Sequence, residues 1–183
     1  GEVLTSVAEK MNIPVVTTIM GKGAIATDHP MYIGNIGMYG NYASNMAVTK
    51  CDVLFAIGVR FSDRITGTIE DFAKDAKIIH VDIDVSEFDK NVKCHLAVES
   101  DARVFLEGLY QKLEFRQRDE WFGLYKDKRD HEQTMVKDPQ LNSSSLTMAQ
   151  VVDSVTKAGS KKKVVVTDVG QNQMFAARYS KLD

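Results

Sequence analysis

The chain has 183 residues, room for one ordinary domain or for one domain and the start of another. Its 44% hydrophobic and 26% charged residues exclude a wholly disordered protein, and a formal net charge of -2 gives no reason to expect a polyanionic partner. The one basic run, Lys161-Lys162-Lys163, is too short for a nucleic-acid footprint, no apolar run approaches about 18 residues, and no signal peptide is visible. Cys51 and Cys94 are expected to be reduced thiols in a reducing compartment, with a disulfide as the alternative.

In chain order, Glu2–Met11 is predicted to be a helix, because Val3, Val7 and Met11 recur every four residues with Leu4 and Ala8 beside them. A buried strand follows at Pro14–Thr18, ended by Gly21-Lys-Gly23. A short helix is expected through Tyr42, Ala43, Met46 and Ala47, after the Gly37–Gly40 loop. Val53–Ile57 and Lys77–Ile83 are continuous apolar runs, the pattern of parallel strands covered on both faces. Asp101 is placed to cap a helix over Ala102–Leu113, whose apolar stripe runs through Phe105, Leu106, Leu109 and Leu113. This alternation predicts an open parallel α/β sheet of the doubly wound, Rossmann-like kind over 1–113.

From Glu114 to Lys137 the chain is charged, with Phe115, Trp121, Phe122 and Tyr125 interleaved, and is predicted to be a surface helix that packs its aromatics. Asp138–Ser145 has the composition of a linker, so 114–146 forms a connecting segment. The Asn142-Ser-Ser144 sequon carries no weight without a secretion signal. A new unit over 147–183 is expected to open with the capping box Thr147-x-x-Gln150 and a helix ending near Gly159. A strand at Val164–Thr167 and a second helix through Met174 and Ala177 should follow. A helix–strand–helix start cannot bury its apolar faces alone, so the chain is expected to continue past Asp183 as a second α/β domain. A domain of this kind also opens with a strand feeding the first helix, and the expectation is that this strand precedes Gly1.

Ligands of open parallel sheets bind outside the carboxyl ends of the strands, where four loops qualify. Thr17–Gly23 offers glycines for close backbone approach and the charge of Lys22, or makes only a turn. Gly37-Met-Tyr-Gly40 precedes a helix whose N–H groups can hold an anion, with Met38 and Tyr39 able to meet a flat ring; the alternative is a tight turn with two packed side chains. Gly58–Gly67 concentrates Arg60, Asp63 and Arg64 after a buried strand. Arginine forks suit phosphate or flavin acceptors, although Asp63 could simply pair with an arginine on the surface. Asp82 and Asp84 follow another strand, suited to ribose hydroxyls or merely ending that strand. Together the loops describe a dinucleotide site without an intact G-x-G-x-x-G signature.

The run Gly58-x-Arg-Phe-x-Asp-Arg-x-Thr-Gly67 resembles the middle-domain signature of the acetolactate synthase family. Pro14-Val-x-Thr-Thr18 through Gly21-Lys-Gly23 with Asp28-His-Pro30, then Gly34-x-x-Gly-Met-x-Gly40, resemble its two earlier flavin loops. Phe72-Ala-x-x-Ala76, His80-x-Asp-Ile-Asp84 and Glu87-x-x-Lys-Asn91 resemble the stretch after the arginines, and Asp168-Val-Gly-Gln-x-Gln-Met174 the opening of the thiamine-diphosphate domain. The resemblance implies an enzyme condensing two pyruvates, or pyruvate with 2-oxobutyrate, to 2-acetohydroxy acids and carbon dioxide, the first step of branched-chain amino-acid synthesis. It implies thiamine diphosphate held through Mg2+, and FAD with no net redox change. It places FAD contacts on Thr18, Gly21, Gly37, Gly40, Arg60, Asp63, Arg64, Asp82 and Asp84. The substrate channel falls on Met38, Asp63 and Arg64, and Gln171 and Asn172 fall near the thiamine diphosphate. Tyr39 and Asn172 stand where the family commonly has histidine.

No catalytic or metal-binding residue is expected within the chain, so alone it should be inactive. The implied partners are 2-oxo acids and further copies in a homodimer or tetramer, with a regulatory small subunit as another candidate. The implied location is cytoplasmic, or plastid or mitochondrial in a eukaryote. The alternatives are another thiamine-diphosphate carboligase such as glyoxylate carboligase, or a non-catalytic nucleotide-binding module.

Overall fold

A computed structural model describes residues 1–117, 119–137, 145–159 and 163–182. The first helix, α1 (Glu2–Met11), ends where Asn12 turns left-handed at φ 50°, a conformation asparagine tolerates at a helix end. It leads into β1 (Val15–Thr17), which pairs in parallel with β2 (Tyr32–Asn35). After α2 (Tyr42–Lys50) come β3 (Val53–Ile57), the short α3 (Asp63–Thr66), β4 (Lys77–Asp82) and β5 (Leu96–Glu99). These three strands form a second parallel sheet in the order β3-β4-β5. The helix α4 (Ala102–Lys112) follows, with the Asp101 carboxylate accepting from the Arg103 and Val104 amides as its composition suggested.

The parallel α/β class is as expected, but the strands lie in two sheets, not one. A cleft of about 1130 Å3 separates β1 from β3. Its walls come from Val7 and Met11 of α1, Leu106 and Leu109 of α4, and Ala47 and Val48 of α2. Within β3, the bonds Lys77 N–H to Asp52 C=O and Gly58 N–H to Val81 C=O fix which residues face β4. By alternation, Val53, Phe55 and Ile57 turn their backbone groups toward the cleft. Val16 does so from β1, because Val15 and Thr17 bond toward β2. Protein interiors close-pack, so a space of this size within an α/β layer lies between incomplete sheet edges and is no packing flaw. It also explains why β3, apolar throughout, buries only Ala56 fully.

Both free cysteines match the expectation of reduced thiols. Cys51 is buried beside β3, and burial pushes its thiol up to about 11; Cys94 is half-buried against the Asp89 carboxylate.

The charged segment forms α5 (Asp119–Lys137). Its docking uses charge as well as apolar surface. Glu132 accepts from the Tyr42 amide at the start of α2, a favourable place for a carboxylate, and pairs with Arg178. Arg129 donates to the Pro30 and Tyr32 carbonyls at 3.0 and 2.9 Å. Tyr125 sinks into a cluster with Ile33, Ala43 and Ala47, and Phe122 packs beside it. Phe115 does not join them: it precedes the helix and stands exposed. The Trp121 side chain and residues 138–144, with the expected linker and sequon, lie outside the described residues.

The capping box at Thr147 forms, opening α6 (Met148–Ala158), and α7 (Gln171–Tyr179) follows. The strand expected at Val164–Thr167 does not form. The segment carries no regular structure and Val164 and Val166 are exposed, because no strand edge lies alongside to complete a ladder. Instead α7 closes on β2, where the Asn35 side-chain amide donates to the Ala177 carbonyl.

Tyr125→Ala should empty the buried site under α5. The expected cost is about 3 kcal/mol or more, lowering Tm by about 10 °C in a melt of the purified chain. A change within about 2 °C would mean that α5 does not dock through this residue.

Candidate functional site

Because each sheet is parallel, the loops after β1 and β2 share one edge and those after β3 and β4 share another. Direct contacts tie these edges together. The cleft runs from Thr18 and Gly21 after β1 to Gly58 after β3. Gly37 meets α3 closely: a Cβ there would lie 2.6 Å from the Arg64 carbonyl, and φ of 108° excludes other residues in any case. The Met38 amide donates to that same carbonyl at 2.9 Å. Asn45 grips Gly37 from α2, accepting from its N–H and donating to its C=O, both at 2.9 Å. Met38, Asp63 and Arg64, expected along one channel, are thereby brought together; Met38, Tyr39 and both charged side chains point into solvent.

In the first loop, the Thr18 hydroxyl accepts from the Gly21 amide at 3.1 Å. Burial, with the neighbouring Lys181 charge, lowers the Lys22 ammonium to about 8. In the second, Gly40 is required by space, since a Cβ would fall 2.4 Å from the Asn35 carbonyl. In the third, the Asp63 carboxylate accepts from the Arg64 amide at 2.9 Å and lies 4.0 Å from its Nε. That separation leaves the surface pairing of the two side chains weak. Arg60 and Arg64 thus present donors to solvent from adjoining positions.

The loop after β4 turns on its own acids. Asp82 accepts from the Asp84 amide, and Asp84 from the Ser86 amide, each at 2.9 Å. Hydrogen bonds from Ser86 hold the Asp84 carboxyl below its ordinary range. This loop joins the third through Glu87, whose buried carboxylate lies 3.6 Å from Arg60 Nε and 2.8 Å from Lys90 Nζ. Asn91 adds a bond to the Phe61 carbonyl at 2.8 Å.

Gln171 and Asn172 stand apart from this group. They are exposed at the start of α7, after Gly170 at φ 101°. Among the described residues, no hydrogen bond or ion pair links their side chains to the four loops. No group of three or more His, Cys, Asp or Glu side chains that could hold a metal occurs among the described residues.

Sequence reasoning assigned no role to His80, Glu87, Asn91 or Asn45. The first three were visible as spaced motifs after the arginines, but their contacts across the sheet are not a matter of spacing. Asn45 gave no signal beyond its place on a short helix.

No helix among the described residues is long and apolar enough to cross a membrane. Over 98% of its length the chain is 41% identical to a "Probable acetolactate synthase large subunit" of Methanocaldococcus jannaschii, covering 32% of that protein. It is 36% identical to an "Acetolactate synthase large subunit" of Cyanidium caldarium, covering 31% of it. It is 39% identical to "Acetolactate synthase 1, chloroplastic" of Zea mays, covering 28% of it. The chain therefore spans about a third of the length of the curated relatives it matches. Residues 1–109 match the family model described as the thiamine pyrophosphate enzyme, central domain. With that match covering more than half of the sequence, the chain belongs to the family of thiamine pyrophosphate enzymes that carry this central domain.

Proposed function

We propose that the chain is part of an acetolactate synthase large subunit, and that its loops after β1 to β4 hold FAD. The observation that carries this reading is the joining of the loops after β2, β3 and β4, through Gly37 against Arg64 and Glu87 against Arg60, into one polar rim beside exposed guanidinium groups, with the loop after β1 tied to that after β2 by the Ile36 N–H on the Thr17 carbonyl. The relatives' names and the identities of 33 to 41% support the activity. The donor set fits a flavin dinucleotide. Arg60 and Arg64 offer planar forks to phosphate or ring acceptors, and Asp82 and Asp84 are placed to accept from ribose hydroxyls. Gly37 and Gly40 let the loop after β2 pack against the Arg64 and Asn35 carbonyls, and Thr18 braces the turn at Gly21, so the backbone of these glycines borders the proposed ligand. Asp63 keeps Arg64 at the rim through its amide and, with Arg64 and Met38, borders the substrate channel.

Gln171 and Asn172 are proposed to meet the diphosphate of thiamine diphosphate in the complete subunit. There that cofactor, held through Mg2+, supplies the carbanion chemistry of carboligation. The contribution of this chain is to bind and orient. Asn172 offers an amide donor to phosphate, and Tyr39 an exposed ring beside Met38. The substrates are 2-oxo acids and the assembly a homodimer or tetramer, with a regulatory small subunit as a further candidate partner. The location is cytoplasmic, or plastid or mitochondrial in a eukaryote. Another carboligase, such as glyoxylate carboligase, is the second reading. The purified full-length protein, given pyruvate, thiamine diphosphate, Mg2+ and FAD, should form acetolactate, and the chain alone should form none. Carboligation of glyoxylate but not pyruvate would overturn the assignment, and turnover by the chain alone would place catalytic residues within it.

The domain reading assigns 1–113 to the flavin-binding unit, 114–146 to a connecting segment and 147–183 to the start of the thiamine-diphosphate unit. Its first strand is proposed to precede Gly1 and to fill the cleft between β1 and β3. The unpaired, parallel edges at Val16 and at Val53, Phe55 and Ile57 support that placement, as does α1, which would then connect two neighbouring parallel strands. The apolar dye ANS should brighten strongly with the chain as it stands. It should brighten little with a polypeptide extended upstream by one strand and turn. Equal dye binding by both would contradict this use of the cleft.

A further inference from the structure

Arg60 sits in a loop, yet the structure holds it on three sides. Its side chain is 77% exposed, and its Nε lies 3.6 Å from Oε1 of Glu87, which is only 9% exposed. Among the described residues Glu87 is the one ion-pair partner of Arg60, whose charge also acts on the Asp84 carboxylate. Because Glu87 meets Arg60 at Nε, the two terminal nitrogens of the fork have no ion pair among the described residues and can serve a two-pronged grip on an acceptor. A carboxylate as buried as Glu87 is costly unless paired, and its second partner is Lys90 at 2.8 Å.

The backbone on either side of Arg60 is fixed as well. The Val59 carbonyl lies 3.1 Å from Nε2 of His80 on β4, and the Phe61 carbonyl accepts from Asn91 at 2.8 Å. A carbonyl can only accept, so His80 Nε2 carries a proton and donates it to Val59. Nδ1 is buried and has no partner among the described residues. The ring is wedged edge-on between Phe61 at 5.0 Å and Phe88 at 5.1 Å. A phenylalanine would fit these neighbours without an orphaned nitrogen. What the imidazole adds is the bond to Val59 at 3.1 Å and a longer contact of the same Nε2 with Oδ2 of Asp82 at 3.9 Å.

We propose that Glu87 and His80 are positioning residues for Arg60: Glu87 turns its guanidinium fork outward and His80 fixes the backbone from which it projects. This rests on the reading that the loop binds a flavin dinucleotide.

The test is a titration of the full-length apoenzyme with FAD, followed by flavin fluorescence, for Arg60→Ala, Glu87→Gln and the double variant. Glu87→Gln should raise Kd about tenfold in the parent and less than about twofold in the Arg60→Ala background. An equal rise in both backgrounds, or no rise in the parent, overturns the role of Glu87. If Arg60→Ala alone leaves Kd unchanged, the flavin reading of the loop fails, and the positioning role fails with it. For His80, Phe retains the ring and removes the donor, while Gln retains a donor. His80→Phe should weaken FAD binding about tenfold without lowering Tm, and His80→Gln should recover most of the affinity. Equal affinities for the two, or a loss that follows Tm, would show a packing role only.

Discussion

Parallel pairing is the constraint on which the rest of the molecule depends. A parallel ladder sends every strand in one direction, so the segments leaving β3 and β4 must emerge side by side, as must those leaving β1 and β2. The five-residue register from Val53 opposite Lys77 to Ile57 opposite Val81 sets Arg60, three residues past β3, against the turn that follows Asp82. No contact between Arg60 and Glu87 could form with β4 reversed. The glycine at 37 performs the corresponding task across the two sheets, since only the absence of a side chain lets the loop after β2 reach the Arg64 carbonyl.

The same constraint exposes the weakest part of the fold. β1 and β3 each hydrogen-bond on one side only, and the cleft between them is bridged by helices, with α1 packed on α4. The ends of the sheets are held by different means. At β2 a buried polar knot, in which Thr17 and Tyr32 hydroxyls donate to Asn35 Oδ1 at 2.8 and 3.0 Å, binds β1 to β2. Through the Asn35 amide the same knot binds α7. Such a network is favourable only when its members are satisfied, and here each polar atom of Asn35 has a partner.

Regular periodicity was readable from sequence; contact across elements was not. The four-residue spacing in Glu2–Met11 and the apolar runs at Val53–Ile57 and Lys77–Ile83 mark α1, β3 and β4 nearly to the residue. β2 escaped because Tyr-Ile-Gly-Asn buries a glycine and an asparagine, which read as a loop. β5 escaped because Leu-Ala-Val is an apolar run of only three residues before Glu99, too short to stand out as a strand. Val164–Thr167 erred in the other direction: β-branched residues favour a strand, but a strand also needs a neighbour. For the candidate site, Arg60, Asp63 and Arg64 stood out as charge concentrated after a buried strand. Glu87 and His80 did not, because their significance lies in what they touch thirty or fewer residues upstream across the sheet.

The central claim is that four loops make one flavin site. Hydrogen exchange of the full-length apoenzyme with and without FAD tests it most directly. Protection should appear together at Thr18–Gly21, Gly37–Gly40, Arg60–Arg64 and Asp82–Asp84, with the outer face of β5 unchanged. Protection confined to other segments, or to one of these loops alone, would contradict it.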